Sequence, residues 1–424
     1  MAKKHIKTEV KPLPTKRQLS RHRRQQRIQH IIYIAGTVFL ALLIAFVAYG
    51  YWDVQIKPFH QPAAKINGTT YDMGYYVKML ELYSKGQDAS QTATMADNLI
   101  KVMQYNEAVA RSAPEVGISV SNDEINSTLK TLTLPNEKVY RDAIGSTTLA
   151  NKLVQNYFDK EVPTSTEQVE VQALFVESAD VADKLAARIA AGDNFTALAE
   201  EYSLEPITKD NGGNLGWLPK GFADMLLGNL GNSALKDLPF TLEPGQLSQP
   251  TFDGMVSKSI GYWVVLVTEK DPTKGSHVRA ILTGSRHDAE AIRAKIVAGE
   301  DFASLVKTYS QDYTSASDNG DMGWTGEGTI TNRLVRGMAV PLEIGAVSQP
   351  AADSSVQTLG GFWLVRVLNK DENRVLDDST RQTLRTGLFE KWMTEKMKDD
   401  SVETLLTEDQ KAWAINLVVK SRGQ

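Results

Sequence analysis

RIAAGDNFTALAEEYS, residues 188–203, and KIVAGEDFASLVKTYS, residues 295–310, repeat one pattern at an offset of 107 residues. Gly192 answers Gly299, Phe195 answers Phe302 and Tyr202 answers Tyr309. The offset holds through GGNLGW (Gly212–Trp217) and NGDMGW (Asn319–Trp324), then falls to 100. From there Gly245 answers Gly345, Gln249-Pro250 answers Gln349-Pro350 and Gly261 answers Gly361. Each copy reads as a strand (Val169–Val176; Val278–Thr283), a helix stopped by glycine, a second helix and a Gly-rich turn. A variable segment then leads to a closing strand rich in β-branched and aromatic residues (Gly261–Thr268; Gly361–Leu368). Strands mixed with helices on this scale predict a compact α+β domain, present twice, at residues 166–271 and 275–370.

The flanks read as helical. Residues 53–165 open with a strand-like AKINGTTY (Ala64–Tyr71) that turns at Asn67-Gly68. Helices are expected at 73–86, 92–113 and 137–160. Leu99, Ile100, Met103 and Ala110 share one helical face, and Ser121-Asn-Asp-Glu124 is a capping box that starts a further helix. Residues 371–424 complete the chain. Leu384, Leu388, Phe389, Trp392, Met393 and Met397 form an apolar stripe there, which needs a partner surface and is expected to pack on the N-terminal helical domain.

Residues 1–30 hold ten Lys or Arg and one acid, a net of +9, which leaves −13 for the remainder of a chain whose total is −4. A basic tail on an acidic body argues against nucleic acid as the body's partner. Residues 31–52 follow without a charge, IIYIAGTVFLALLIAFVAYGYW. As a helix this run is roughly 33 Å long, the thickness of a bilayer core. Tyr49, Tyr51 and Trp52 sit where an aromatic belt lies, and the preceding positive charge keeps the N-terminus in the cytoplasm. The expectation is a single-pass cell-membrane anchor with everything after it extracytoplasmic. The competing reading, a cleaved signal peptide, calls for a shorter apolar core and small residues at its end. The chain has no cysteine, which removes disulfides, thiolate catalysis and Cys-ligated zinc. Neither a metal nor another cofactor is expected. Hydrolase signatures such as H-E-x-x-H and G-x-S-x-G are also missing.

The repeat resembles the parvulin (PpiC-type) peptidyl-prolyl cis-trans isomerases, or rotamases. The family's G-x-(D/N)-F-x-x-L-A-x-x-Y-S helix, G-G-D-L-G turn, G-x-x-S-x-P lead-in and G-Y-H-x-I strand stand here as Gly192–Ser203, Gly212–Gly216, Gly245–Pro250 and Gly261–Val265. In the second copy they are Gly299–Ser310, Asn319–Gly323, Gly345–Pro350 and Gly361–Val365. The K-I-N-G strand and the Gly117–Ile125 run resemble the chaperone domain of SurA- and PrsA-type foldases. The resemblance implies two tandem parvulin-like domains and a helical SurA-N-like domain (53–165), to which the apolar stripe adds the C-terminal helices and the apolar run one transmembrane helix. It implies unfolded or newly exported polypeptides and their proline-containing segments as partners.

By that resemblance two pocket histidines are expected, but the aligned positions hold Ala173 and Trp263 in copy one, and Ala280 and Trp363 in copy two. After the apolar run the only histidines are His60, His277 and His287, so neither module can have the pair. The family's central Cys or Asp aligns with Asp312 and, in copy one, with Glu205; these are the candidate catalytic acids, and a solvated loop role is the alternative. The family's pocket Phe aligns with Leu235 and Val335, while Leu215 and Met322 lie in the Gly-rich turns; both pairs join the Ala and Trp positions as candidate substrate contacts. The tryptophans either fill the pocket or form a floor on which proline stacks. Isomerisation breaks no covalent bond, so a dry pocket that favours the twisted amide suffices in principle. The reading is a membrane-anchored foldase. A catalytically inactive holdase or an envelope assembly adaptor is the alternative.

Overall fold

The structure, a computed structural model, describes residue 33 and residues 37–422. The basic tail, 1–30, and part of the apolar run lie outside the described residues. Thr37–His60 forms one helix, α1, with a mean hydropathy of 1.7 over its most apolar window and no buried residue there. The chain then divides into two compact units, one comprising the residues up to Leu153 with Glu390 onward, the other Val154–Phe389.

In the first unit, β1 (Pro62–Ile66) and β2 (Thr69–Asp72) form a hairpin. Its turn is Asn67-Gly68, both at positive φ (47° and 88°), the backbone that this dipeptide accepts most readily. Helices α2 (Met73–Tyr83), α3 (Ala89–Ser112), α4 (Asn122–Thr131) and α5 (Lys138–Lys152) follow. The expected capping box forms: Ser121 accepts from the Glu124 amide while the Glu124 carboxylate accepts from the Ser121 amide. On α3 the buried stripe runs Leu99, Met103, Asn106, Val109. That spacing passes one residue short of Ala110, which is exposed and not in the core as expected.

In the second unit, α6 (Phe158–Glu161) precedes β3 (Ser165–Val176), α7 (Ala179–Ala190), α8 (Phe195–Tyr202), α9 (Pro206–Asp210), β4 (Asn214–Pro219) and α10 (Ala223–Leu226). Three strands come next, β5 (Thr251–Lys258), β6 (Gly261–Asp271) and β7 (Gly275–Thr283). They are followed by α11 (Arg286–Val297), α12 (Phe302–Tyr309), α13 (Tyr313–Ala316), β8 (Asp321–Trp324), α14 (Arg333–Ala339), β9 (Ala351–Asp353) and β10 (Thr358–Val375). This is the α+β repeat, but the sheets do not follow the sequence copies. One sheet has the order β4-β3-β10-β5 and the other β8-β7-β6-β9. The closing strand of the first copy, β6, pairs with β7 of the second, and the closing strand of the second, β10, pairs with β3 and β5 of the first. The copies have exchanged their last strands. The contiguous segment 261–353 carries one complete sheet, and 165–258 with 358–375 carries the other.

Each sheet alternates its side chains between two apolar layers, as the two-residue strand period requires. In the first, Leu174, Val176 and Leu364 pack under α7 and α8, while Ala173, Phe175, Trp363 and Val365 face Leu230 and Leu235 on the other side. In the second, Ile281 packs under α11 and α12, while Trp263, Val265, Ala280 and Leu282 face α14.

Helix α15 (Asp378–Met397) follows β10, and its Leu384 packs with Val162 and Leu376. Phe389 meets Phe158 with ring centroids 5.9 Å apart. β11 (Val402–Thr404) then adds to β1, and α16 (Glu408–Ser421) inserts Ala414 and Val418 beside Met73, Tyr76 and Leu80.

Candidate functional site

The motif residues shared by the copies are those that fasten each sheet to its connections. Ser203, which ends α8, accepts from the Phe175 amide at 3.1 Å, and Ser310 accepts from the Leu282 amide at 3.3 Å. Ser248 accepts from the Val365 amide at 3.0 Å, and Ser348 from the Val265 amide at 2.9 Å. The Gly-rich turns lie against the first strands: Ala173 N–H donates to the Gly213 carbonyl and Ala280 N–H to the Gly320 carbonyl, each at 2.8 Å. Gly213 and Gly320 sit at positive φ (81° and 83°), and a Cβ on either would stand under 3 Å from the carbonyl oxygen of Ala173 or Ala280. Only glycine fits both the backbone angle and the approach.

The strand exchange changes which residues meet. Val365 lies opposite Ala173, and Val265 opposite Ala280. Ala173, Leu215 and Leu235 therefore share an apolar cluster with Trp363, not with Trp263 as the sequence order implied. Ala280, Met322 and Val335 share theirs with Trp263. Ala173, Leu235, Ala280, Val335 and Trp363 are fully buried and Trp263 nearly so, whereas Leu215 and Met322 are half-buried at the rim. The candidate contacts thus converge in two groups of four, with the tryptophans traded between copies.

Each indole is held by a buried carboxylate that sequence reasoning missed. Trp363 Nε1 donates to Asp253 Oδ2 at 3.1 Å, and Trp263 Nε1 donates to Asp353 Oδ2 at 3.0 Å. Asp253 also accepts from the amides of Ala234 (2.6 Å) and Met255 (3.0 Å). Asp353 accepts from Asn332 Nδ2 (2.7 Å) and from the Ser355 hydroxyl (2.6 Å) and amide (2.9 Å). Burial alone would raise the Asp353 carboxyl, but the donors from Asn332, Ser355 and Trp263 outweigh it and hold it below the usual carboxylate range. The missed signal was the 100-residue offset itself, which makes Asp253 and Asp353 equivalents.

The two candidate acids both cap short helices. Glu205 is buried and accepts from Ile207 N at 3.0 Å through one oxygen and from Thr208 N at 2.7 Å through the other. Asp312 is half-buried and accepts from the Ser315 amide and hydroxyl through Oδ2 alone. His277 lies on β7 away from the indole clusters, against Thr268 Oγ1 at 3.0 Å, Asp321 at 3.4 Å and the Trp324 ring. His287 is largely exposed and contacts Asp180 at 3.3 Å. Among the described residues no group of three or more His, Cys, Asp or Glu is placed to hold a metal.

Residues 164–271 and residues 277–369 each match the PPIC-type PPIase domain. Chaperone SurA of Chromohalobacter salexigens is 28% identical over 229 residues, 49% of this chain and 47% of that protein. The match thus spans about half of that relative's length. Chaperone SurA of Hahella chejuensis is 26% identical over 370 residues, 81% of this chain and 74% of that protein. Foldase protein PrsA of a Geobacillus strain is 37% identical over 109 residues, 26% of this chain and 36% of that protein.

Proposed function

We propose that this chain, a parvulin-type peptidyl-prolyl isomerase by family with the organisation of the SurA and PrsA chaperones, works as a membrane-anchored foldase. Its clients are unfolded or newly exported polypeptides, met outside the membrane. The helix α1 supports the tether: it is long enough to cross a bilayer and exposes apolar side chains on all sides. The basic tail before it supports the topology.

The observation that carries the reading is the Trp–Asp pair in both modules. Where parvulins place a polar histidine, each sheet presents a large indole whose one polar atom is spent on a buried carboxylate. Both indoles are closed to solvent, packed with Leu235 or Val335, so a client proline ring or another nonpolar side chain meets the apolar rim at Leu215 and Met322 and not the rings themselves. Such a surface binds without a proton donor. It lowers the roughly 18–20 kcal/mol twist barrier only by preferring the twisted imide, so isomerisation is slow and client holding is the larger activity. Of the two acids, Asp312 is the one available to polarise an amide, because one of its oxygens has no hydrogen-bond partner among the described residues while both of Glu205's are engaged. Leu215 and Met322, half-buried at the rims, are the contacts a client meets first.

Residues 53–424 test this in two assays. Isomerisation of a proline tetrapeptide above the uncatalysed rate, lowered by Asp312→Ala and not by Glu205→Ala, is expected alongside suppressed aggregation of a denatured client. Rates at the uncatalysed level with suppression intact make the chain a holdase. Failure to bind any unfolded client overturns the chaperone reading and leaves the adaptor.

A further inference from the structure

The exchanged strands are close copies. GYWVVLVTEKD (Gly261–Asp271) and GFWLVRVLNKD (Gly361–Asp371) agree at the glycine, Trp263/Trp363, Val265/Val365, Val267/Val367, Lys270/Lys370 and Asp271/Asp371. Their surroundings are copies too. Each valine faces an alanine (Val265–Ala280, Val365–Ala173), each indole faces an aspartate, and each strand is fastened by a serine of a Ser-Gln-Pro segment. Either strand therefore completes either sheet with many of the same contacts; the pair Leu266 and Arg366 is the exception, Leu266 lying opposite Arg279 and Arg366 donating to Gln172.

What else distinguishes the observed arrangement lies in the seam where the strands cross. Between β5 and β6 lie only Ser259 and Ile260, and between β9 and β10 only residues 354–357. At equivalent positions, Lys258 Nζ donates to the Gly360 and Leu359 carbonyls, and Thr358 Oγ1 donates to the Ile260 carbonyl. The Gln311 side chain pairs with the Leu359 backbone at 2.7 and 3.1 Å. A cavity of about 340 Å³ lies in this seam, bordered by Glu177, Phe252, His287, Leu359 and Phe362. The seam is a short set of polar contacts around a void, whereas the sheets are close-packed.

We infer that β6 and β10 are a matched pair of exchangeable strands, hinged at 259–260 and 354–357, which let the two modules interconvert between the exchanged arrangement and one in which each copy closes its own sheet. The free-energy difference between two such packings is set by the seam and by the Leu266/Arg366 exchange, which places Arg366 opposite Arg279 in the second form, because the other sheet contacts are shared. Trp263 and Trp363 ride on these strands, so leaving one arrangement empties both indole sites together. The two modules open as a pair. This holds whether or not the sites catalyse isomerisation.

The cysteine-free chain makes the test direct. In the exchanged form Gln172 is opposite Arg366 and Arg279 is opposite Leu266. In the other form, by the 100-residue equivalence, Gln172 meets Leu266 and Arg279 meets Arg366. The full chain in detergent is prepared with Gln172→Cys plus Arg366→Cys, or Gln172→Cys plus Leu266→Cys, and oxidised. The mirror pairs, Arg279→Cys with Leu266→Cys or with Arg366→Cys, stand in if a first pair fails to fold. Mass spectrometry reads links within one chain. The 172–366 link is expected to form readily, and the 172–266 link roughly 10- to 1,000-fold more slowly, as a minor state dictates. Failure of 172–366 to link removes the exchange itself. Absence of any 172–266 link within a chain removes the interconversion, and a 172–266 link found only between chains replaces it with exchange between two copies.

Discussion

Lys258→Met isolates the energetic cost of the seam. Lys258 is 2% exposed, and among the described residues its ammonium donates to two backbone carbonyls alone. Burial pushes the amine down from 10.5 to about 8, against the weaker opposing pull of Glu177 and Asp288. At about 1.36 kcal/mol per unit, that displacement is a penalty of roughly 3 kcal/mol on the folded state at pH 7. The sign follows from proton binding. Between pH 8 and 10.5 the unfolded chain keeps the Lys258 proton and the folded chain has lost it, so stability rises with pH across that window. Below pH 8 both states are protonated and the penalty is constant. Methionine has a similar length and no charge. It removes the penalty, but leaves the Gly360 carbonyl without the lysine donor, at a cost of about 1–3 kcal/mol, while the Leu359 carbonyl keeps Gln311 Nε2. At pH 7 the variant is therefore close to wild type or somewhat more stable. The diagnostic quantity is the difference between the two denaturation curves, recorded by guanidinium titration from pH 7 to 10.5. Wild type should gain roughly 3 kcal/mol on the variant across the window. Other groups titrate in both proteins and cancel. Parallel curves would mean that the amine is hydrated in the folded state, and the seam would then not be built as described.

Two further perturbations test the assembly. Removing residues 399–424 takes away β11 and α16, whose Val418 and half-buried Trp413 alone carry about 3 kcal/mol of apolar burial; the helical domain around α2 and α3 should lose at least that much stability, read by circular dichroism melting of a fragment starting at residue 53. Asp253→Asn should couple to Trp363→Phe by about 0.5–3 kcal/mol in a double-mutant cycle and add independently to Trp263→Phe, because the carboxylate holds the indole of the other copy; coupling to Trp263 instead would place each closing strand in its own module.

Much of this architecture was legible in the sequence because its signals are local. The Asn67-Gly68 turn, the Ser121–Glu124 capping box and the glycine stops after α7 and α11 each depend on a few neighbouring residues, and each forms. The two groups of apolar site residues were legible for a similar reason, since alternation along a strand fixes which side chains share a face. Partnership between strands is a different kind of information. A strand selects its neighbour by the side chains it meets there, and duplication has made those side chains the same in two places. Ala173 and Ala280 present equal room, Ser248 and Ser348 equal acceptors, Asp253 and Asp353 equal carboxylates. Within Gly261–Asp271 the repeated pattern does not distinguish its own sheet from the other one; only an unshared position does, Leu266 against Arg279 where the other copy sets Arg366 against Gln172. The choice is made at the hinges, where the copies differ in side chains and not in length: Ser259-Ile260 answers Leu359-Gly360, and a lysine at 258 stands against a threonine at 358. A two-residue connection of Ser-Ile lacks the glycine or asparagine that a tight hairpin turn prefers, which favours running straight on into the neighbouring module. The seven residues lost from the second copy fall between the Gly-rich turn and Gly345, outside both hinges, and leave that choice untouched.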